Sequence, residues 1–141
     1  MLTLTSQVEN QEFDLNFTSD DKSMPADSAV DKWQSLWNEG IESVGMTARC
    51  DPKKMAEQMK TAGFINVTIQ SFKMPVGPWP KDQRLREAGK FNLFGLDSGL
   101  TGLSLRVYTQ ILGWSVEEME VLLMQVRAEW MRKGIHSYLP M

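Results

Sequence analysis

Apolar and polar positions alternate along this chain with periods that change from segment to segment. Val30, Trp33, Trp37, Ile41 and Val44 recur every three or four residues, which predicts an amphipathic helix capped by Ser28 and ended by Gly45. Asp51 and Pro52 open a second helix. The aspartate can accept from the first free N–H groups, and proline at the first helical position gives up a donor that has no partner there. Met55, Met59 and Ala62 form its expected buried stripe, with Gly63 as the left-handed stop. The period then drops to two. In residues 64–73, Ile65, Val67 and Ile69 alternate with Asn66, Thr68 and Gln70, the pattern of a strand. Residues 8–17 alternate more loosely and suggest another strand, and 18–27, polar around Pro25, a surface connection.

Pro75-Val76-Gly77-Pro78-Trp79-Pro80 excludes regular structure, because three prolines remove three donors and fix the backbone. Two helices are predicted next, over 82–92 and 99–112. The second is apolar on two sides (Leu100, Leu103, Val107 and Ile111; Leu105, Tyr108 and Leu112) and is expected to be well buried. Gly113 stops it, and Ser115-Val116-Glu117-Glu118 reads as a capping box. Met119, Leu122, Leu123, Val126 and Trp130 mark the core face of a last helix, acidic at its start and basic at its end in accord with its dipole. The expectation is an α/β chain, mostly helical with one or two strands. It forms a single partial domain over 1–141: a strand remnant and loop (1–27), a helix–helix–strand unit (28–75) and a helical C-terminal part (76–141).

Composition narrows the function classes. A net charge of -3, with no basic cluster interleaved with aromatics, argues against nucleic-acid binding. No apolar run is long enough to span a bilayer, and residues 1–10 lack the basic flank and apolar run of a signal peptide. The single cysteine, Cys50, allows no internal disulfide and suits a reducing compartment, so the expected location is cytoplasmic, with the nucleus open.

Chemistry is sparse. One histidine and one cysteine cannot build an ordinary zinc site, and no glycine-rich phosphate or dinucleotide loop occurs. The adjacent carboxylates Asp20-Asp21 and Glu117-Glu118 point to different faces and read as a polar loop and a helix start. His136 carries the side-chain type suited to general base work near neutrality, and equally suits a terminal cap or packing role. Trp79 and Trp114, in or beside loops, could line an apolar small-molecule pocket or anchor the core. Arg106, in an apolar helix, could hold an anionic ligand or pair with a structural acid.

Four motifs in order resemble the C-terminal region of fungal class I S-adenosylmethionine-dependent methyltransferases of the LaeA type. They are Ala62-Gly63-Phe64-Ile65-Asn66-Val67, like "AGF-x-x-V"; Pro75 to Asp82, like "P-x-G-x-W-P-K-D"; Gly113-Trp114-Ser115-Val116-Glu117-Glu118 running on to Val126-Arg127; and Ile135-His136-Ser137-Tyr138, like "IH-x-Y". Val8-Glu9-Asn10-Gln11-Glu12-Phe13 is similar to the stretch that follows the fifth sheet strand in that family. The resemblance implies a partial Rossmann-like fold and a role in fungal secondary metabolism.

The family's glycine-rich cofactor turn and first four strands have no counterpart here. The chain is therefore expected to be cut short at both ends, to bind no S-adenosylmethionine alone, and to stop before the final strand that would pair with 65–72. Three readings stand open. One is a shortened methyltransferase-family protein, inactive as it stands. Another is a cofactor-independent cyclase or isomerase acting on a natural-product small molecule, with His136 catalytic and Trp79, Arg106, Tyr108 and Trp114 binding substrate. The third is an interaction module that completes a methyltransferase chain or self-associates through an exposed strand edge.

Overall fold

The computed structural model describes residues 7–141. Residues 1–6, part of the expected 1–27 strand remnant and of the segment judged not to be a signal peptide, lie outside the described residues. The elements in chain order are α1 (Ala29–Ser43), α2 (Pro52–Thr61), β1 (Lys73–Pro75), α3 (Gln83–Arg106) passing into a π-helical turn (Val107–Ile111), α4 (Val116–Trp130) and β2 (Tyr138–Pro140).

Local chemistry sets most helix starts. Ser28 accepts from the Asp31 N–H, Asp51 from those of Lys53 and Lys54, and Asp82 from that of Leu85. Ser115 and Glu118 form the reciprocal capping box read from the sequence. Tertiary structure adds a second cap to α1: Glu129 of α4 accepts from Ser28 Oγ and from the Ala29 N–H at 2.7 Å, placing a carboxylate at the positive end of the α1 dipole.

The core forms where α1, α4 and the α3–π segment meet. Val30, Trp33, Ile41, Leu100, Val107, Tyr108, Met119, Leu122, Leu123, Val126 and Trp130 are buried in one cluster with Phe17, Val76 and Leu139. Phe17, Trp33 and Trp130 meet as an aromatic trio with ring centroids 5.6 to 6.3 Å apart. Aromatic rings of this size bury large apolar areas in a core. Two polar handles find partners, Trp33 Nε1 donating to Ser104 Oγ at 2.8 Å and the Tyr108 hydroxyl to the Trp33 carbonyl at 2.8 Å, whereas the buried Trp130 Nε1 has none among the described residues. α2 stands outside this cluster, with Ala56 its one buried residue; Met55 and Met59 of the expected stripe are half-buried and Ala62 is exposed.

Several expectations are corrected. Residues 8–17 form no strand. They are tied down instead by Gln34, whose side chain binds both backbone groups of Phe17, and by an isolated bridge between Thr18 and Tyr138. The predicted strand over 64–73 is reduced to its last residue within β1, because 65–71 find no strand beside them. The two helices predicted over 82–92 and 99–112 are one continuous helix through Arg106, and its glycines at 95, 99 and 102 do not break it. Only one side of it is buried: Leu103 and Leu105 are exposed, whereas Leu100, Ser104, Val107 and Tyr108 face the core. The C-terminal part is not wholly helical, since β2 pairs antiparallel with β1 (Met74 opposite Leu139), and Phe72 and Met141 exchange two further bonds. Against the expectation that 65–72 meets no strand, residues 72–75 are paired with 138–141.

The proline-rich connection after β1 is clamped on both sides. Its prolines contribute carbonyls without donors, and α3 supplies the donors: Asn92 Nδ2 to the Pro75 carbonyl at 2.9 Å and Arg86 Nε to the Pro80 carbonyl at 3.0 Å. Gly77, at φ 92°, donates to the Gly89 carbonyl at 3.0 Å. That approach leaves no room for a side chain at Gly89, whose added Cβ would lie 2.1 Å from the Gly77 carbonyl oxygen, while Gly77 is favoured by its left-handed backbone.

Candidate functional site

The clamp fixes Trp79. Its Nε1 donates to the Ser137 carbonyl at 2.9 Å, and Val76 N–H binds the same carbonyl at 3.0 Å. The indole then lies against the His136 ring, centroids 5.2 Å apart and tilted by 33°. Two of the five sequence-nominated residues are thus brought together, from segments far apart in the chain.

On its other side His136 meets the 19–23 loop. Its Nδ1 lies 2.5 Å from Asp21 Oδ2, and its backbone N–H donates to Ser23 Oγ at 2.8 Å. Asp21 is itself oriented: Ser19 Oγ donates to its Oδ1 at 2.6 Å and the Ser23 N–H to the same oxygen at 3.0 Å. The loop reaches this shape with Lys22 in the left-handed region, φ 59°. Hydrogen bonds from Ser19, then Ser23 and His136, hold the Asp21 carboxyl far below the usual carboxylate range.

Asp20 turns the other way. Lys73 Nζ sits 2.5 Å from its Oδ2, and the Tyr138 hydroxyl donates to its Oδ1 at 2.7 Å. The Lys73 bond, then that of Tyr138, lowers the Asp20 pKa, and the Asp20 bond raises that of both Lys73 and Tyr138. The ammonium of Lys73 also lies 4.9 Å from the Tyr138 ring centroid, a cation–π contact. Adjacent carboxylates therefore serve two separate partners, as their spacing implied, but in a polar network tying the 18–23 loop to the C-terminal segment rather than as an unengaged loop.

This network can orient an imidazole. With Nδ1 on Asp21 and the ring beside Trp79, His136 has the arrangement of a carboxylate–histidine acid–base pair. It does so on an open surface. Its side chain is 42% and that of Asp21 47% exposed, so nothing encloses a substrate.

The other nominated residues lie elsewhere. Tyr108 is fully buried, its ring edge-on to Trp114 at 5.2 Å, and burial pushes its phenol far above the ordinary tyrosine value. It is a core residue, so its assignment to substrate contact is corrected. Trp114 is half-buried and borders a shallow groove with Gly113, Glu118 and Val121, with Lys32 Nζ 6.0 Å from its ring. Arg106, the last residue of α3, is exposed, and its side chain makes no hydrogen bond or ion pair among the described residues. No hydrogen bond or ring contact among the described residues joins Tyr108 and Trp114 to Trp79 and His136. Sequence reading passed over Ser19, Ser23 and Lys73, took Asp21 as part of a polar loop and met Tyr138 only within a motif. The one signal of the 19–23 group was composition, a serine- and aspartate-rich loop, which marks turns far more often than sites.

Among the described residues no three His, Cys, Asp or Glu side chains gather as metal ligands, and no helix is long and apolar enough to cross a membrane. A class I methyltransferase cofactor would need free backbone N–H groups in a strand-to-helix turn. The described turn of that kind, from β1 to α3, has none to offer at its start: Val76 and Gly77 donate to Ser137 and Gly89, and Pro78 and Pro80 have no N–H.

The chain is similar to a methyltransferase of Aspergillus terreus, pytC, 36% identical over 119 residues that make up 84% of this chain and 36% of that protein. It is also similar to a probable methyltransferase of Emericella nidulans, tdiE, 28% identical over 139 residues, 99% of this chain and 44% of that protein. The secondary metabolism regulator laeA of Gibberella zeae is 30% identical over 131 residues, 93% of this chain and 42% of that protein. The chain spans well under half the length of the curated relatives it matches. No protein-family profile and no solved structure matches it.

Proposed function

We propose that this chain, a member of the group of fungal methyltransferases and LaeA-type regulators, works in fungal secondary metabolism as a portion of a class I, Rossmann-like methyltransferase fold that does not itself hold S-adenosylmethionine. The observation that supports the reading is the start of the turn from β1 to α3, where the Val76 and Gly77 N–H groups are taken by the Ser137 and Gly89 carbonyls and Pro78 has none. A turn that cradled a cofactor would leave those donors free and let the ligand approach the backbone. Here Gly77 takes up the contact with α3 instead.

Calorimetric titration of the 141-residue chain with S-adenosylmethionine, after circular dichroism shows it folded, tests this directly. No heat of binding is expected. Micromolar binding would sink the reading, because a site would then have been built from residues that serve packing in this fold.

A second reading, a cofactor-independent cyclase or isomerase acting on a small natural product, is favoured by the Asp21–His136 pair with Trp79 against the ring. His136 would exchange the proton, Asp21 would orient it, and Trp79 would offer an apolar face. Turnover of a candidate substrate without S-adenosylmethionine, abolished in His136→Gln and retained in Tyr108→Phe, is the outcome that reading requires. Equal turnover in wild type and His136→Gln would dismiss it.

A further inference from the structure

After α1 the chain leaves the body of the molecule and rejoins it firmly at Phe72. The Met46 N–H closes the end of α1 onto the Ile41 carbonyl at 3.0 Å, and Phe72 exchanges two hydrogen bonds with Met141. Between these anchors, residues 47–71 hold α2 and the extended run behind it. Ala56 is the one buried residue of that stretch, and alanine brings little apolar surface. No helix or strand is packed along α2. Among the described residues two polar contacts reach the body. The Leu15 N–H donates to the Ala48 carbonyl at 3.3 Å, and Arg49 pairs with Glu42 at 3.1 Å, with side chains 61% and 47% exposed. An ion pair so exposed contributes little. The remaining hydrogen bonds are internal to the stretch, such as the Asp51 cap, the Arg49 N–H to Thr47 Oγ1 and the Cys50 thiol to Met55 Sδ. Residues 65–71 make no backbone hydrogen bond among the described residues. At the root, Asp14 faces Arg49 and Cys50 with a buried Oδ1 that has no partner among the described residues, which weakens the seat further. Gly45, at φ 78° and with open space around it, and Asn66, at φ 56°, turn the chain on either side of α2.

We propose that residues 47–71 form a hinged strap that opens and melts as one unit while α1, α3, α4 and the β1–β2 ladder stay folded. The helix does not persist once free, because a helix of ten residues is marginal in water without packing. Opening gives up only the contacts just named, far fewer than global unfolding does, and the moving parts of proteins are drawn from segments held this lightly. It parts Leu15 from Ala48, both of which pack at the margin of the core, and so uncovers the segment before Phe17. It leaves Asp21, His136 and Trp79 in place, since none of the contacts that join them runs through the strap.

Native-state hydrogen exchange read by NMR tests this. The amides from Met55 to Ala62 are expected to exchange together, at least about 100-fold faster against their intrinsic rates than the slowest amides of α1 and α4. Tyr108→Phe weakens the core and so separates strap opening from global unfolding. It is expected to speed the slowest α1 and α4 amides by about 5- to 30-fold and those of α2 not at all. Ala56→Glu removes the one buried anchor and is expected to strip α2 of protection with α1 and α4 unchanged. Three results would overturn the proposal: α2 amides as slow as those of α1 and α4 in the folded wild type, an equal acceleration of all three helices by Tyr108→Phe, or a loss of protection in α1 and α4 to match that of α2 in Ala56→Glu.

Discussion

Replacing Gly89 by alanine probes the contact on which the proline loop, and with it Trp79, depends. In an open helix interior alanine is the better residue by about 1 kcal/mol. At this position an added Cβ would lie 2.1 Å from the Gly77 carbonyl oxygen, 3.0 Å from its carbon and 3.3 Å from Pro75 Cγ. The nearest atoms are backbone and cannot swing aside, so α3 and the loop must separate by roughly 1 Å in a region packed to crystal-like density. Separation loosens the Gly77 N–H to Gly89 carbonyl bond and strains the neighbouring bonds from Asn92 and Arg86. Overpacking of this kind costs about 1–3 kcal/mol. Each weakened hydrogen bond adds up to about 1 kcal/mol. Set against the gain in helix propensity, the net loss is about 2–3 kcal/mol, a large part of the roughly 5–15 kcal/mol that holds a domain folded. Gly95 in the same helix supplies the control, since its Cβ would meet nothing within 4 Å. Gly95→Ala should stabilise by up to about 1 kcal/mol. Urea unfolding followed by circular dichroism compares the midpoints of the three proteins at equal m. If Gly89→Ala unfolds at or above the midpoint of Gly95→Ala, helix and loop do not approach each other this closely.

Tyr108→Phe leaves the Trp33 carbonyl without its buried donor and should cost about 1–2 kcal/mol in the same assay. Both tyrosines ionise above the ordinary phenol value, Tyr108 through burial and Tyr138 through its bond to Asp20; their contribution is complete below about pH 10 and is lost as pH rises beyond it, so absorbance at alkaline pH should show phenolate forming late and together with unfolding. Asp21 behaves oppositely. Its folded pKa is depressed, so its contribution is present above the ordinary carboxylate range and fades as pH falls below about 4, and Asp21→Asn should flatten that acid limb in a pH titration of stability. Ser115→Ala breaks the capping box at the start of α4 and should lower stability by about 0.5–2 kcal/mol, with Glu118→Ala removing the reciprocal half of the same device.

Much of the helical framework is legible in the residue pattern. Ser28, Asp51 and Ser115 each cap the helix their sequence context announces, and every core position read for α4, from Met119 to Trp130, is buried. The relation to fungal methyltransferases and LaeA-type regulators is legible too, because its motifs sit in loops and caps whose residue types are locally dictated. The strand over 64–73 misleads for the converse reason. Its alternation states only that the stretch could pair, and a ladder needs a second strand that no local pattern can supply. Glycines at 95, 99 and 102 suggest a gap between two helices, yet a glycine lowers helix propensity by only about 1 kcal/mol, less than burial of the flanking Leu100 and Tyr108 returns.

What the sequence determined alone is what neighbours three or four residues apart can settle: helix periods, caps and stops, and the apolar stripe each helix would bury. What only the tertiary structure decided is which distant residues meet. His136 reaches Asp21 across 115 positions, Tyr138 reaches Asp20 across 118, and Trp79 reaches Ser137 across 58. Those contacts follow from closing long loops around the α1–α3–α4 core, a global compromise of burial against chain entropy. The same compromise made Tyr108 a core residue and left the neutral edge at 65–71 without a partner among the described residues.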